Sequence, residues 1–376
     1  GALLSGPLSD KFGRKVIITS TTLLFASFTI LCGFASTTQE LMIYRFITGL
    51  GLGAAMPNIS TIVSEYMPAK RKAFLTGLAG CGFMLGISCG GVLSAYLLEN
   101  LGWAKVIIIG GAIPLVLVVA LLLKLPESPQ YLIKNAQQDK AKHILERLQG
   151  CAFVEPVQLV LPQAESNLSE SPAKMVLGKY LWGSSMLWLC CFTSLLVFYL
   201  LTSWMPTILK TAGFSTQQFS LIAAIFPFGG VIGAIVMGWY MDKVNPTKVI
   251  KFSYLFAVIL FLVAGFVSTN IVLLGITIFL IGALLVGAQS SLLPLAALFY
   301  PSVCRAVGVS WMHGIGRIGA ILGAFFGSLI FTFNLSLSGI FFILAIPTFI
   351  SFIALTLKVM HEKSSHKAIL ETKKAA

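Results

Sequence analysis

"VIIIGGAIPLVLVVALLL", residues 106–123, is an uncharged apolar run of 18 residues. At a helical rise of about 1.5 Å per residue it spans roughly 30 Å, the hydrocarbon thickness of a bilayer. The pattern recurs, for example as "VIITSTTLLFASFTILCGF" at 16–34. The 376-residue chain is 57% hydrophobic and 10% charged, with a mean hydropathy of +0.92. Within lipid only a helix or a closed barrel satisfies its own backbone, and runs of this length are helical. The sequence therefore specifies an all-α polytopic membrane protein. Spans are expected near 16–34, 41–66, 73–98, 104–124, 181–205, 217–240, 249–267, 271–299, 306–331 and 337–357, and residues 1–9 read as the tail of another helix.

The net charge of +13 raises the question of nucleic acid, and its distribution answers it. Threading the spans places Lys11, Arg14, Lys15, Lys70, Arg71, Lys72, the 124–180 stretch, Lys243, Lys248, Lys251, Arg305 and the C-terminal tail on one side. Of the 26 Lys and Arg, only Arg45, Lys105, Lys210 and Arg317 fall elsewhere. That asymmetry is the positive-inside rule. It predicts a multi-pass protein of the inner (cytoplasmic) membrane, with central loop and C-terminus cytoplasmic and no nucleic-acid partner. The seven cysteines (32, 81, 89, 151, 190, 191 and 304) lie in spans or cytoplasmic loops without metal-ligand spacing, and read as small apolar packers.

The apolar pattern breaks between 126 and 180. Residues 130–149 place Leu132, Ile133, Ile144, Leu145 and Leu148 on an amphipathic surface helix, and "EPVQLVLPQAESNLSESPAK" (155–174) is a polar, Pro- and Ser-bearing linker. The expected domains are an N-terminal bundle (1–125), a cytoplasmic helix and linker (126–180), a C-terminal six-helix bundle (181–358) and a cytoplasmic tail (359–376). The two bundles repeat one another. Gly6, Asp10 and Lys11 return as Gly238, Asp242 and Lys243, each displaced by 232 residues, and "EYMPAKRKA" (65–73) is echoed by "FYPSVCRA" (299–306). Paired halves with matching turns are the plan of secondary transporters. A six-span second half implies a six-span first half. The expectation is that the first helix and most of the second lie upstream of Gly1, and that this chain alone does not transport.

Gly6-x-Leu8-x-Asp10-x-x-Gly13-Arg14-Lys15 is similar to the signature turn of the major facilitator superfamily. "RFITGLGLGAAMPN" (45–58), "PESPQYL" (126–132) and "YPSVCRAVGVSWMHGIGRIGAILG" (300–323) together resemble the aromatic acid:proton symporter family. That resemblance implies a two-bundle fold and import of benzoate-type carboxylates with protons by alternating access. It also implies a conformational latch at Asp10, Arg14 and Asp242. The family's acidic pair belongs to the first helix, which is expected to lie upstream of Gly1, and Ala324 stands where a proline is expected.

Read as chemistry, the turn has Gly13 permitting a tight bend, with Glu65, Arg71 and Arg305 at the matching cytoplasmic ends as further latch candidates. The bland reading is that the bases only obey the positive-inside rule, which calls for no acid. Inside the spans, Arg45 and Arg317 are unaccompanied by any deep carboxylate. A guanidinium fork suits a carboxylate, so these two are the candidate ligands of an anionic substrate, although Arg45 also has room to snorkel outward. Asn58, Gln289, Tyr199 and Trp204 are the accompanying amide and aromatic candidates, with Phe226, Phe228 and Trp311 as weaker stacking partners. His313, four residues before Arg317, is either a proton relay or a helix-to-helix hydrogen-bond partner. Glycines 77, 80, 82, 86, 90 and 91 read as small-residue helix packing.

No catalytic constellation, phosphate loop or metal cluster appears, so the chain is not read as an enzyme. No cofactor is expected beyond the proton as coupling ion, and the expected form is a monomer in the bilayer with a small anionic substrate. The competing readings are a sugar or organic-cation porter, and a non-transporting sensor or remnant. A cation porter calls for a buried acid, which this sequence lacks.

Overall fold

The computed structural model describes residues 1–67, 72–149, 171–332 and 335–375. Thirteen helices account for its regular structure among the described residues: α1 (Ala2–Phe12), α2 (Arg14–Cys32), α3 (Thr38–Tyr66), α4 (Lys72–Lys124), α5 (Pro129–Lys134), α6 (Gln138–Gln149), α7 (Pro172–Leu177), α8 (Leu181–Thr211), α9 (Thr216–Met241), α10 (Pro246–Phe266), α11 (Ile271–Phe299), α12 (Ser302–Thr332) and α13 (Leu337–Ala375). Nine of these are long and apolar enough to cross a membrane. One of the nine, the 47-residue stretch Leu78–Lys124, would extend about 70 Å if straight, far beyond one crossing. It is broken at Gly102, whose φ of 75° and ψ of 165° turn the chain between two spans. The expected short loop at 99–103 is thus a single-residue corner. The chain is an all-α membrane protein, and each expected span has its helix.

The sequence also sets the helix ends. Thr37 and Ser215 open α3 and α9 with full capping boxes, closed by Glu40 and Gln218. Asn245 and Asn270 accept from the first free N–H groups of α10 and α11.

The chain divides into two compact units, residues 1–82 with 96–166, and 83–95 with 167–376. In unit 1, α2 packs along α3, and Gly111 and Gly33 fit against Ile30 and Ile108. Unit 2 is built from two helix pairs in near-backbone contact. A Cβ added at Gly319 or Gly323 of α12 would overlap the carbonyl of Phe192 or Leu196 on α8, and one added at Gly229 or Gly233 of α9 would overlap that of Phe279 or Ala283 on α11. Small residues at such seams let helices approach where lipid offers no hydrophobic drive to associate. The expectation that Gly80, Gly82, Gly86 and Gly90 do this is corrected, because nothing lies within 4 Å of a Cβ at any of them; Gly6 is equally open. Of that series, Gly91 does meet a neighbour, Ala224.

The single amphipathic helix expected at 130–149 is two helices. Ala136 takes φ 58°, and the N–H of Gln137 reaches back to the carbonyl of Leu132 at 2.9 Å, a Schellman end for α5. The tail begins as a continuation of α13, which runs on to Ala375. Cys151 and residues 155–170 of the linker lie outside the described residues, as does Arg71.

Candidate functional site

The charged turn of unit 1 is organised by Glu127. The α2 helix starts at Arg14 directly after Gly13, so its first N–H groups have no partner within the helix. Glu127 Oε1 accepts from the N–H of Arg14 at 2.8 Å, of Lys15 at 3.1 Å and of its neighbour Ser128 at 2.8 Å. A carboxylate there also faces the positive end of the helix dipole. Arg14 Nε then pairs with Glu65 Oε1 at 2.8 Å, with the two side chains 17% and 3% exposed. Ser128 Oγ donates to the other Glu65 oxygen. Tyr66 donates to the Glu127 carbonyl at 2.6 Å, and Lys15 Nζ to that of Leu122 at 2.9 Å. The cluster joins the start of α2, the end of α3 and the 126–132 turn.

Gly13 makes this possible, because its φ of 96° and ψ of 154° are open essentially to glycine alone. A Cβ there would also run into the Glu127 carboxylate. Gly13→Ala is expected to destabilise the protein by about 1–3 kcal/mol from backbone strain alone. Thermal melting of the detergent-solubilised protein checks this, and Gly6→Ala is the control, its site being open.

Arg14 and Glu65, both expected at the latch, are therefore brought together. Asp10 contributes less, at 3.8 Å from Arg14 and 58% exposed. Glu127 and Ser128 are the residues that sequence reasoning missed. They stand in the "PESPQYL" motif, and an acid between two prolines directly after an apolar span was the available signal.

The second half repeats the turn without its ion pair. Asp242 caps α9, is exposed, and forms no ion pair among the described residues. Arg305 Nε donates to the carbonyl of Tyr300 at 3.3 Å. In the repeat, Phe299 occupies the place of Glu65. Lys358, only 2% exposed, sets its ammonium 4.5 Å from the Phe299 ring centroid. A cation over an aromatic face thus stands where unit 1 has a cation and a carboxylate.

Among the in-span candidates of unit 1, Arg45 is exposed on α3, while Asn58 is buried and donates to the carbonyl of Ala54 at 2.8 Å. In unit 2, Arg317 is exposed on α12, within electrostatic reach of half-buried His313 and of the Cys191 thiol. Gln289 and Tyr199 are half-buried, the latter edge-on to Phe198 at 5.3 Å. Trp204 donates from Nε1 to the carbonyl of Ala324 at 2.7 Å, tying α8 to α12. Phe226 is fully buried against Phe198, Phe228 lies against Phe279, and Trp311 meets Trp188 edge-on at 6.0 Å. Among the described residues no group of three His, Cys, Asp or Glu side chains is arranged to hold a metal.

The helical architecture, the duplicated turns and the buried Arg14–Glu65 pair define a recognisable type, and the Major Facilitator Superfamily model matches residues 1–302 and 187–375. The chain belongs to the major facilitator superfamily. Members of this superfamily are membrane carriers, not enzymes. The chain is 40% identical to the 4-hydroxybenzoate transporter PcaK of Pseudomonas aeruginosa over 366 residues, covering 95% of this chain and 80% of that one. It is 36% identical to the gallate transporter of Pseudomonas putida, covering 94% and 79%, and 32% identical to the benzoate transport protein of Acinetobacter baylyi, covering 95% and 75%. Among solved structures, a D-xylose-proton symporter superposes with a TM-score of 0.70 at 18% identity, covering 95% of this chain and 83% of that one. The partially occluded, inward-open xylose transporter of E. coli gives 0.66 at 17%, covering 94% and 83%. Both show the fold alone.

Proposed function

We propose that this major facilitator protein carries an aromatic carboxylate inward across the cytoplasmic membrane together with protons, by alternating access, as a monomer with its central loop and C-terminus in the cytoplasm. The observation that carries the reading is similarity across nearly the whole chain to carriers named for 4-hydroxybenzoate, gallate and benzoate. The residues agree with it. Arg317 places a guanidinium on a membrane-spanning helix, and between Leu181 and His361 the one acid is Asp242, at a helix end. A cation in an apolar span costs about 3 kcal/mol until it is paired, and Arg317, exposed on α12, is open to an arriving carboxylate. Arg45, exposed on α3, is the second candidate for drawing in anions. The Arg14–Glu65–Glu127 cluster ties three segments of unit 1 into one piece, which rigid-body rocking requires. It is read as the latch, with Asp10 an outlying member and Asp242 and Arg305 its counterparts in the second half.

Uptake of labelled 4-hydroxybenzoate by cells producing the complete protein tests the reading. Accumulation is expected to be competed by benzoate, to be unaffected by xylose, and to collapse when a protonophore dissipates the proton gradient. Uptake of xylose in place of the acid would select the sugar-porter alternative.

A further inference from the structure

Unit 2 holds a charge arrangement that binding an anion does not by itself explain. Between Leu181 and His361 the sequence has seven Lys and Arg against the single Asp242. Of the His, Asp and Glu in that stretch, Asp242 follows the last residue of α9 and His361 closes the apolar part of α13. His313 alone lies well inside a span, the twelfth residue of α12. It precedes Arg317 by four residues, so the two share a helix face about 5–6 Å apart at Cβ, and the guanidinium is within electrostatic reach of the imidazole.

The helices packed on α12 are α7, α8 and α11. From α8 the nearby titratable groups are the buried thiols of Cys190 and Cys191, with Tyr199 two turns further along and Lys210 at the last turn. From α7 there is Lys174, and α11 carries no titratable residue. On α12 itself the others are Cys304 and Arg305 in its first turn. No carboxylate among them balances a cation at 313. Gly316 is pressed against Cys191 and Leu195, which fixes this face of α12 relative to α8.

We propose that His313 couples substrate binding to proton uptake: an anion on Arg317 cancels the positive field along this face, and the imidazole then takes up a proton from water. The proposal rests on the reading of the chain as a carrier of aromatic carboxylates. The balance is simple. The imidazole nitrogen lone pair binds one proton as the carboxylate pairs with the guanidinium, and gives it up when the carboxylate leaves. Because linkage is reciprocal, the same interaction makes protonation tighten anion binding. Affinity is therefore highest at low pH and falls as pH rises through the titration of the substrate-bound imidazole.

The test is equilibrium binding of labelled benzoate to the complete protein in detergent between pH 6 and 8, where the benzoate carboxylate stays ionised throughout. Wild-type Kd is expected to weaken about ten-fold across that range, within the usual span of a coupling between two sites. His313→Gln and His313→Asn should each give a Kd constant to within about two-fold, and should lose the proton uptake that an indicator dye records on benzoate addition in weak buffer. A merely structural histidine would shift Kd equally at every pH and leave the slope intact, and that result overturns the proposal. Imidazole ¹⁵N spectra of the wild type follow the proton without any variant. Benzoate at pH 7 should convert one histidine to imidazolium, and unchanged spectra also overturn the proposal. If the wild type binds neither benzoate nor 4-hydroxybenzoate at any pH, the transport reading falls with it. If it binds both without pH dependence, only the coupling falls.

Discussion

Arg317→Ala is expected to abolish binding of benzoate-type acids to a protein that still folds, and Arg317→Lys to weaken it about ten-fold or more by keeping the charge and losing the planar two-point fork. The folding half of this expectation follows from electrostatics. A lone guanidinium in a span is unfavourable by about 3 kcal/mol, so its removal takes away a cost instead of leaving a partner stranded. The only acid of the surrounding stretch, Asp242, is exposed at the end of another helix and forms no ion pair among the described residues. Binding of labelled 4-hydroxybenzoate, with size-exclusion profiles as the folding control, decides it. Normal affinity in a monodisperse Arg317→Ala protein would make the arginine structural and move the anion site elsewhere, with Arg45 next in line.

The fold was legible because its determinants are local. An apolar run of bilayer length names a span wherever it occurs, and Thr37, Ser215, Asn245 and Asn270 mark helix starts within a few residues of themselves. The break between the spans expected at 73–98 and 104–124 falls at Gly102, whereas local signals failed at Ala136, whose left-handed φ splits the surface helix in two. The glycines of 80–90 failed for a different reason. Spacing reveals a small-residue stripe and not its partner, and the tight seams are instead those of α8 with α12 and α9 with α11.

The turn cluster was half legible. Arg14 and Glu65 could be nominated as charges at matching helix ends, whereas Glu127 acts on Arg14 from 113 residues away, a distance no pattern within one helix reports. The internal repeat even misled. Duplicated glycine and aspartate positions suggested duplicated chemistry, yet Phe299 stands in for Glu65, and Lys358 arrives from a helix that the motif does not include.

That asymmetry sets up the second large effect. Glu65→Ala is expected to destabilise the protein by about 3–5 kcal/mol, because it leaves a mostly buried guanidinium without its carboxylate. Arg14→Ala strands Glu65, only 3% exposed, and should be similarly severe. Asp10→Asn, by contrast, removes an exposed partner at 3.8 Å and should change stability by less than about 1 kcal/mol. A double variant, Arg14→Met with Glu65→Leu, should recover much of the loss, since replacing a buried pair with apolar groups of similar volume is often close to neutral. Thermal melts of the wild type, Arg14→Met, Glu65→Leu and the double variant form a cycle whose non-additive part measures the pair itself. The double variant also separates folding from function. If it melts near the wild type yet transports 4-hydroxybenzoate at the wild-type rate, the ion pair only holds unit 1 together. If it folds and binds substrate but does not move it, the Arg14–Glu65 contact must change during the cycle, and unit 1 has its latch where unit 2 keeps a ring and a lysine.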